Sequence, residues 1–267
     1  MKIDGCCALI TGASAGIGRE FAQQLTGRAG SMVLIARRQQ RLEELRDELA
    51  RRDPKMNVHI RVVDLAEKNQ IDQLITWLEQ EKIAIDFLIN NAGLGDFGRF
   101  VTSDPTRIEQ IVRVNILALT LLTRQLLPQM IAQKRGAILN VSSSAGFLPI
   151  APYSVYAASK AYVTSFSEGL RADLHGTGVS VCALCPGPVH TEFINVAKRL
   201  GEPHISGPEF THVSVNEVVR EGIAAIEADK PLVIPGLVMK LGMFFVRITP
   251  LALLRLASGF IAKRSAA

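Results

Sequence analysis

Thr11-Gly12-Ala13-Ser14-Ala15-Gly16-Ile17-Gly18 separates a short apolar run, residues 6–10, from a helix-like segment, residues 17–25. A backbone that turns sharply from a buried strand into a helix needs positive φ angles and close packing, which glycine permits. The first turn of such a helix directs unpaired N–H groups and the positive end of its dipole at an anion. The spacing is Gly-x3-Gly-x-Gly rather than the commoner Gly-x-Gly-x-x-Gly. Two interpretations therefore stand: a phosphate-binding loop, or a glycine turn that only packs strand on helix.

Outward from this loop, short apolar runs alternate with longer helical segments. The runs lack the period-two alternation of a half-exposed strand, so we expect a parallel sheet that is buried on both faces. The predicted fold class is α/β, a single-domain Rossmann-type doubly wound parallel β-sheet with helices on both faces. The predicted strands are residues 6–10, 32–36, 58–63, 87–89, 137–141, 179–184 and 232–234, and the predicted helices are residues 17–25, 39–51, 70–79, 106–133, 156–174 and 215–228.

The end of the second predicted strand bears on which dinucleotide binds. An acidic side chain about 20 residues past the loop would hold the ribose 2′-hydroxyl of NAD. Arg37 stands at that spacing from Gly18, and Arg38 follows it. Guanidinium groups suit a 2′-phosphate through charge-assisted, often bidentate, hydrogen bonds. We therefore predict NADP(H) as the cofactor; the alternative is that the two arginines simply solvate a strand end.

Of the three tyrosines, only Tyr156 has a lysine four residues later, Lys160, which places both side chains on one helix face. A nearby ammonium favours phenolate and lowers the pKa of a phenol, as a general acid–base residue requires. The pair alone is equally typical of an exposed helix face. Its helix, however, follows Ser142-Ser143-Ser144 at the carboxyl end of a predicted strand, where ligands bind in open α/β sheets.

Together these residues resemble the short-chain dehydrogenase/reductase family over roughly residues 2–237. The loop at residues 11–18 resembles the family's Thr-Gly-x-x-x-Gly-x-Gly, and residues 90–93 resemble its Asn-Asn-Ala-Gly. Residues 156–160 resemble its Tyr-x-x-x-Lys, and Pro186-Gly187 with Thr191 resembles its Pro-Gly-x-x-x-Thr. One departure concerns Ala15, since some NADP-using members carry a basic residue within the loop. Preference for NADP would then rest on Arg37, helped by Ser14 and Arg38.

The resemblance implies a role for each matching residue. Tyr156 would be the general acid in reduction, Lys160 would lower its pKa and bind the nicotinamide ribose, and Ser143 would polarise the carbonyl. Asn115 would hold a water that leads from Lys160 to solvent. Asp64 would contact adenine, Asn90 would line the adenosine side, and Val189 and Thr191 would meet the nicotinamide amide. The implied cofactor-binding residues are Gly12, Ser14, Gly16, Ile17, Gly18, Arg37, Arg38, Asp64, Asn90, Ala92, Gly93, Tyr156, Lys160, Pro186, Gly187, Val189 and Thr191.

The predicted function is hydride transfer between nicotinamide and the carbonyl or alcohol group of an apolar small molecule. The alternatives are a non-catalytic dinucleotide-binding sensor or scaffold, and a sugar epimerase, for which the chain is short.

The resemblance also implies a homodimer or homotetramer formed through long helices. The five histidines and the Cys182/Cys185 pair lack metal-ligand geometry, so we expect no metal. Apolar residues that flank the motifs predict the substrate pocket: Leu94, Phe97, Phe147, Leu148, Pro149, Tyr153, Pro188 and Phe193.

The amino-acid composition argues against several other classes of protein. The 267 residues are 48% hydrophobic and 21% charged, which excludes intrinsic disorder, and four cysteines are too few for a disulfide scaffold. Six of the 30 basic residues and none of the 25 acidic residues follow Asp229, so the chain up to Asp229 carries a net charge of −1. We therefore expect no nucleic-acid partner. Only five residues precede the first predicted strand, which argues against a secretory signal and for a cytoplasmic protein.

The chain is expected to form one dinucleotide-binding domain, residues 1–237, and an apolar, basic C-terminal extension, residues 238–267. Within the domain, the aperiodic segment at about residues 190–213 is long for a plain connection and predicts a substrate lid. In the extension, cations recur every seven or eight residues, which leaves no 18-residue apolar span, and Pro250 divides it into two short helices. We expect the extension to pack over the substrate mouth or another subunit; contact with an anionic membrane surface is the alternative.

Overall fold

A computed structural model describes residues 2–202 and 208–264. Seven parallel strands form one sheet with the spatial order β3-β2-β1-β4-β5-β6-β7. The chain thus winds outward from β1 to β3, returns, and winds in the opposite direction from β4 to β7. This creates a topological switch point between β1 and β4, where open α/β sheets bind ligands. The strands are β1 (Cys7–Thr11), β2 (Ser31–Ala36), β3 (Asn57–Val62), β4 (Phe87–Asn90), β5 (Gly136–Val141), β6 (Val179–Leu184) and β7 (Leu232–Val233).

Helices cover both faces of this sheet, which confirms the predicted fold class. Alternate strand residues enter separate cores: Ile10 packs with Phe21 and Ile226 on one face, and Leu9 packs with Leu74 and its neighbours on the other. The helices are α1 (Gly16–Leu25), α2 (Gln39–Arg52), α3 (Lys68–Gln80), α4 (Pro105–Val112), α5 (Leu119–Ala132), α6 (Ser154–Asp173), α7 (Glu192–Ala197), α8 (Val215–Glu227), α9 (Leu237–Ile248) and α10 (Leu251–Arg264).

The predicted long helix at residues 106–133 consists of α4, a π-helical segment (Arg113–Ala118) and α5 in direct succession. Single π-helical turns inside α-helices occur frequently at functional sites. Within the described ranges, this 28-residue helix is the one that is long and apolar enough to cross a membrane by those two measures. Its Leu122 and Met130 are fully buried in the core, as expected of a helix that covers a sheet.

Two regions differ from a simple alternation of strands and helices. The predicted lid contains the short helix α7, which sequence periodicity did not indicate, while residues 203–207 lie outside the described part of the chain. The C-terminal extension forms α9 and α10 with Pro250 between them, as predicted; residues 265–267 are also outside the described part.

Candidate active site

The glycine loop is joined to the neighbouring strand β4 by a set of short hydrogen bonds. The Thr11 hydroxyl accepts from the backbone N–H groups of Asn91 at 2.9 Å and of Ala92 at 2.8 Å. Gly12 and Gly16 adopt φ angles of +66° and +53°, which L side chains rarely adopt. Helix α1 begins at Gly16 with neither a side-chain cap nor an acidic residue in its first turn. Its terminal amides are therefore suited to an anionic ligand.

Gly18 supports the loop without lining the cavity that the loop borders. A Cβ atom at this position would collide with Asn91 Nδ2 and would lie 2.5 Å from the Gly12 carbonyl oxygen. The Asn91 amide occupies that space because it donates to the Thr11 carbonyl oxygen at 2.8 Å. Asn91 was missed as a site residue, although the quoted Asn-Asn-Ala-Gly motif contains it.

A cavity of about 470 Å³ runs along the carboxyl edge of the sheet. Most of the predicted site residues line it, whereas Gly18, Asn90 and Asn115 do not. The predicted residues that it brings together are Gly12, Ser14, Gly16, Ile17, Arg37, Arg38, Asp64, Ala92, Gly93, Ser143, Tyr156, Lys160, Pro186, Gly187, Val189 and Thr191.

Asn90 requires a correction, because its side chain is enclosed beneath the sheet edge and does not line the adenosine side of the cavity. Its Nδ2 donates to Thr123 Oγ1 at 3.1 Å and to Asn140 Oδ1 at 2.9 Å. Side chains alternate across a strand, so the last residue of β4 points toward α5 while the following loop residues border the cavity. Asn90 therefore links β4, β5 and α5.

Ser143 and Tyr156 form the polar centre of the cavity. Ser143 follows the end of β5 and Tyr156 lies on the first turn of α6, and both side chains line the cavity. Burial raises the pKa of Tyr156 to about 12, and the nearby Ser143 hydroxyl opposes that rise. The neighbouring Ser142 hydroxyl instead donates to the Lys160 carbonyl oxygen at 2.7 Å. The Ser142 hydroxyl is thus engaged with α6, while Ser143 is the serine near the Tyr156 hydroxyl.

Lys160 lies one helical turn after Tyr156 and is also buried. Its Nζ donates to the Val141 carbonyl oxygen at 2.8 Å and lies 5.9 Å from the centroid of the Tyr156 ring. Burial lowers the pKa of Lys160 to about 8. The expected lowering of the tyrosine pKa is not what this structure shows. Burial removes water from the phenolate, and this raises the pKa of Tyr156 by more than Ser143 lowers it.

Asn115 lies in the π-helical segment and is buried, with all of its described polar contacts made to protein atoms. Its Oδ1 accepts from the Leu94 N–H at 2.8 Å, and its Nδ2 donates to the Leu94 carbonyl oxygen and to Ser159 Oγ, both at 2.9 Å. A Cβ atom on Gly93 would lie 3.3 Å from Lys160 Nζ and 3.6 Å from Asn115 Oδ1. Asn115 thus fixes the loop after β4 to α6 beside Lys160.

Three arginine side chains lie close together where β2 is followed by α2. Arg38 donates to Ser14 Oγ at 3.1 Å and to Glu192 at 2.8 Å, and Arg41 also pairs with Glu192, at 2.5 Å. Both arginines lower the pKa of Glu192 to about 2. Arg37 was predicted to be the main determinant of NADP preference. Its side chain is half exposed, and its Nη1 lies 3.8 Å from Asp64 Oδ2. Sequence reasoning missed Glu192, which lies far from its partners along the chain, and Arg41, which stands one turn after Arg38.

The opposite part of the cavity is aromatic. The ring of Phe97 lies 4.1 Å from that of Tyr153, and Phe193 lies 5.4 Å from Tyr156, measured between centroids. Leu94 and Pro188 line the same space. The predicted pocket residues Phe147, Leu148 and Pro149 do not line the cavity. Phe147 and Leu148 instead pack against the core, because the 3₁₀ turn after Ser143 (Ser144–Phe147) contacts α9.

The lid brings together two histidines that the sequence leaves far apart. His190 and His212 stack with ring centroids 4.4 Å apart, and Glu209 lies 3.1 Å from His190 Nε2. The potential ligand atoms of the three residues lie within 4.8 Å of one another. The rings are nearly parallel, at 10°, so their in-plane lone pairs do not converge on one ion.

Cys182 and Cys185 are free and buried, and burial raises their thiol pKa values to about 12 and about 11.

Comparison with known proteins identifies the family of this chain. A family model described as short chain dehydrogenase matches residues 6–199. The NADP-dependent 3-hydroxy acid dehydrogenase YdfG of Escherichia coli K12 is 37% identical over 195 residues, which are 70% of this chain and 75% of that protein. A short chain dehydrogenase of Pseudocercospora fijiensis is 37% identical over 194 residues, which are 72% of this chain but only 62% of that longer protein.

A solved short-chain dehydrogenase from Sphingobium yanoikuyae, in complex with NADPH, has a similar structure. Its TM-score is 0.77 at 31% sequence identity, and the match covers 87% of this chain and 88% of that one. The family model spans most of the chain, and the fold and motif positions agree with it. This chain therefore belongs to the short-chain dehydrogenase family and is an oxidoreductase of that family.

Proposed function

We propose that this protein is an NADP(H)-dependent carbonyl reductase, or an alcohol dehydrogenase in the reverse direction, for an apolar substrate. The observation that carries the proposal is that Ser143, Tyr156 and Lys160 line one cavity with aromatic walls, with the buried Lys160 ammonium 5.9 Å from the centroid of the Tyr156 ring. Binding of a dinucleotide alone needs no phenol beside an ammonium. The arrangement therefore favours catalysis over a sensor or scaffold.

The residues present fit a dinucleotide that carries a 2′-phosphate. The positive-φ glycines and the uncapped start of α1 can cradle a pyrophosphate, and Asp64 and Thr191 line the same continuous cavity. Arg38, which donates to Ser14, and Arg41, which pairs with the same Glu192 carboxylate as Arg38, provide the donors for the 2′-phosphate. The relative from E. coli is NADP-dependent by name, and the S. yanoikuyae structure holds NADPH. When bound, NADPH supplies the hydride.

The protonation states of the site suit reduction. A Tyr156 pKa of about 12 keeps the phenol protonated at neutral pH, so it can donate a proton to a carbonyl oxygen. The Ser143 hydroxyl is placed to orient and polarise that oxygen. A Lys160 pKa of about 8 leaves most of the side chain cationic at pH 7, which favours the phenolate that forms as the proton leaves. Asn115 positions Lys160 through the loop after β4.

The walls of the substrate end favour apolar molecules. Phe97, Tyr153 and Phe193 surround Tyr156, and Ile194 and Val196 extend the apolar lining along α7. Such a pocket excludes water from the reacting carbonyl and binds hydrocarbon or aromatic groups beside it. Because α7 carries part of this wall, we assign residues 190–213 as the substrate lid.

We also infer the context in which this enzyme works. Residues 1–237 form the catalytic domain, with residues 238–267 as an extension. Four free cysteines agree with a cytoplasmic location. Val112, Leu117 and Ile131 are exposed apolar residues on the helix that spans Pro105–Ala132, and they support a homodimer or homotetramer formed through that helix.

A screen of carbonyl compounds tests the proposal. Wild-type protein is offered aldehydes, ketones and 3-oxoacyl compounds of increasing apolar size, with NADPH and NADH in parallel assays. We expect NADPH oxidation that rises with the apolar size of the substrate and is slower with NADH. Tight NADPH binding without turnover of any compound would favour the sensor, and faster turnover with NADH would overturn the cofactor assignment.

A further inference from the structure

The outward side of α9 is apolar. Six large hydrophobic side chains there are between 49% and 72% exposed, whereas Met239 and Met243 on the opposite side are buried in the core. At 100° per residue, the six occupy a stripe about 120° wide that points away from the protein. We call this stripe the outer α9 face; it consists of Leu237, Val238, Leu241, Phe244, Phe245 and Ile248.

Helix α10 also exposes large apolar side chains. Leu251, Leu253 and Leu256 are between 52% and 62% exposed and follow α9 after Pro250. Monomeric soluble proteins rarely expose contiguous apolar patches of this extent unless the patch binds something. An amphipathic surface helix would normally place polar side chains on its outward face. Helix α9 instead packs Met239 and Met243 on the core and also exposes an apolar stripe to solvent.

The charged residues carried by α9 and α10 themselves are all positive. Lys240 and Arg247 flank the outer α9 face, on the border between it and the buried methionines, and Arg255 lies on α10. No acidic residue follows Asp229 anywhere in the sequence. A polar border of lysine and arginine around an apolar stripe is the pattern of helices that lie in the interface of an anionic bilayer.

We propose that the outer α9 face, together with α10, docks this protein on the surface of an anionic lipid bilayer. A second copy of the chain is a poorer occupant. Pairing of two such surfaces would bring the cations of both copies together with no carboxylate on either α9 or α10 to offset them. Anionic headgroups supply that charge, and the acyl region accepts the phenylalanines. The docking does not depend on the proposed reductase activity.

The helix that carries the docking surface packs with its inner side against a wall of the active-site cavity. A Cβ atom on Gly187 would lie 2.8–2.9 Å from atoms of Met239, so α9 packs directly on a segment that lines the cavity. Arg247 lies 5.6 Å above the Phe147 ring, in the turn that follows Ser143. Helix α9 alone would thus separate a bilayer on its outer face from this wall of the cavity.

Flotation of the full chain with lipid vesicles tests the docking. The vesicles are phosphatidylcholine mixed three to one with phosphatidylglycerol, or phosphatidylcholine alone, and the salt concentration is varied. We expect wild-type protein to float with the anionic vesicles and to detach as salt rises. Phe244→Ser/Phe245→Ser should weaken partition about tenfold or more, because it removes two inserted rings. Lys240→Gln/Arg247→Gln should weaken it about tenfold at low salt and abolish most of the salt dependence.

Phe100→Ser/Val101→Ser is the matched control. These neighbours are also exposed, at 61% and 86%, and lie off the docking surface, so this variant should partition like wild type. Thermal unfolding of each variant shows that the fold is intact. The proposal is overturned if wild-type protein does not float with the anionic vesicles, or if Phe244→Ser/Phe245→Ser floats as well as wild type. It is also overturned if that variant loses a dimer that wild type forms in solution, because a second copy would then be the occupant.

Discussion

Arg38 donates to the Glu192 carboxylate at 2.8 Å and to the Ser14 hydroxyl at 3.1 Å. One guanidinium therefore joins the end of β2, the glycine loop and the start of α7. In the proposed complex, the same guanidinium holds the 2′-phosphate of NADP(H). A lid carboxylate thus occupies donors that the cofactor requires, and the two anions compete.

Removal of this carboxylate should improve NADPH binding. Glu192→Gln is expected to lower the KM for NADPH by about twofold to fivefold and to leave the KM for NADH unchanged, since exposed ion pairs contribute little. Steady-state kinetics with both cofactors measures the effect. Glu209→Gln removes the same charge from a lid position that pairs with His190, and it should change neither value. Equal changes for both cofactors in Glu192→Gln would contradict the competition.

Loss of the guanidinium should have the opposite effect. Arg38→Gln is expected to raise the KM for NADPH at least tenfold, because a hydrogen bond between charged groups contributes about 1.5–3 kcal/mol. The KM for NADH should change little. Arg46→Gln, on the exposed side of α2 where Arg46 pairs with Asp47, is the control for lost positive charge. An Arg38→Gln enzyme that still prefers NADPH as strongly as wild type would show that other residues select the cofactor.

The close packing of the glycine loop predicts a contrast between two glycines. Gly18→Ala should destabilise the protein by about 1–3 kcal/mol and weaken NADPH binding more than tenfold, because the methyl group displaces the Asn91 amide or the Gly12 carbonyl. Gly169 lies in α6 with open space around its position, so Gly169→Ala should be neutral or stabilise by about 0.5–1 kcal/mol. Denaturant unfolding and cofactor titration measure both, and a harmless Gly18→Ala would refute the packing argument.

Burial of Lys160 predicts a pH dependence of stability. Its folded pKa of about 8 lies below the ordinary value of 10.5, so the unfolded chain holds this proton more tightly. The resulting destabilisation is full below pH 8 and is relieved as the pH rises toward 10.5. Lys160→Met should therefore be more stable than wild type at pH 7, and this advantage should shrink by about 2 kcal/mol by pH 10. Tyr156 and Cys185, with folded pKa values of about 12 and about 11, stay mostly protonated in the folded protein up to pH 10, so the difference reports on Lys160. An advantage that stays constant or grows with pH would contradict the burial argument.

Local patterns were sufficient to predict most of this architecture. The apolar runs gave the seven strands because a strand buried on both faces needs no polar partner on either side. The motifs predicted that Ser143, Tyr156, Lys160 and the glycine loop meet, and the structure places them along one cavity, since each depends on a turn or helix of fixed length. Short-range geometry of this kind is encoded within a few residues of the sequence.

Contacts between distant segments were not predictable in the same way. Glu192 reaches Arg38 from a remote part of the sequence, and the stacking of His190 on His212 depends on how the lid folds back. Asn90 was predicted to line the cavity but points toward α5, because successive side chains at a strand end point in opposite directions. The pKa of Tyr156 was expected to fall, but the depth of burial, which sets its direction, is a property of the folded protein.

The central claim is that the Tyr156 phenol transfers a proton to the substrate. The most direct measurement is kcat/KM for carbonyl reduction by Tyr156→Phe, together with its NADPH affinity by fluorescence titration. Tyr162→Phe, which removes a hydroxyl that lies 2.9 Å from Thr120 Oγ1 at the surface, is the control. We predict at least a hundredfold loss of kcat/KM in Tyr156→Phe with NADPH binding retained, and wild-type rates in Tyr162→Phe. A Tyr156→Phe enzyme that keeps more than a tenth of wild-type activity would contradict the account.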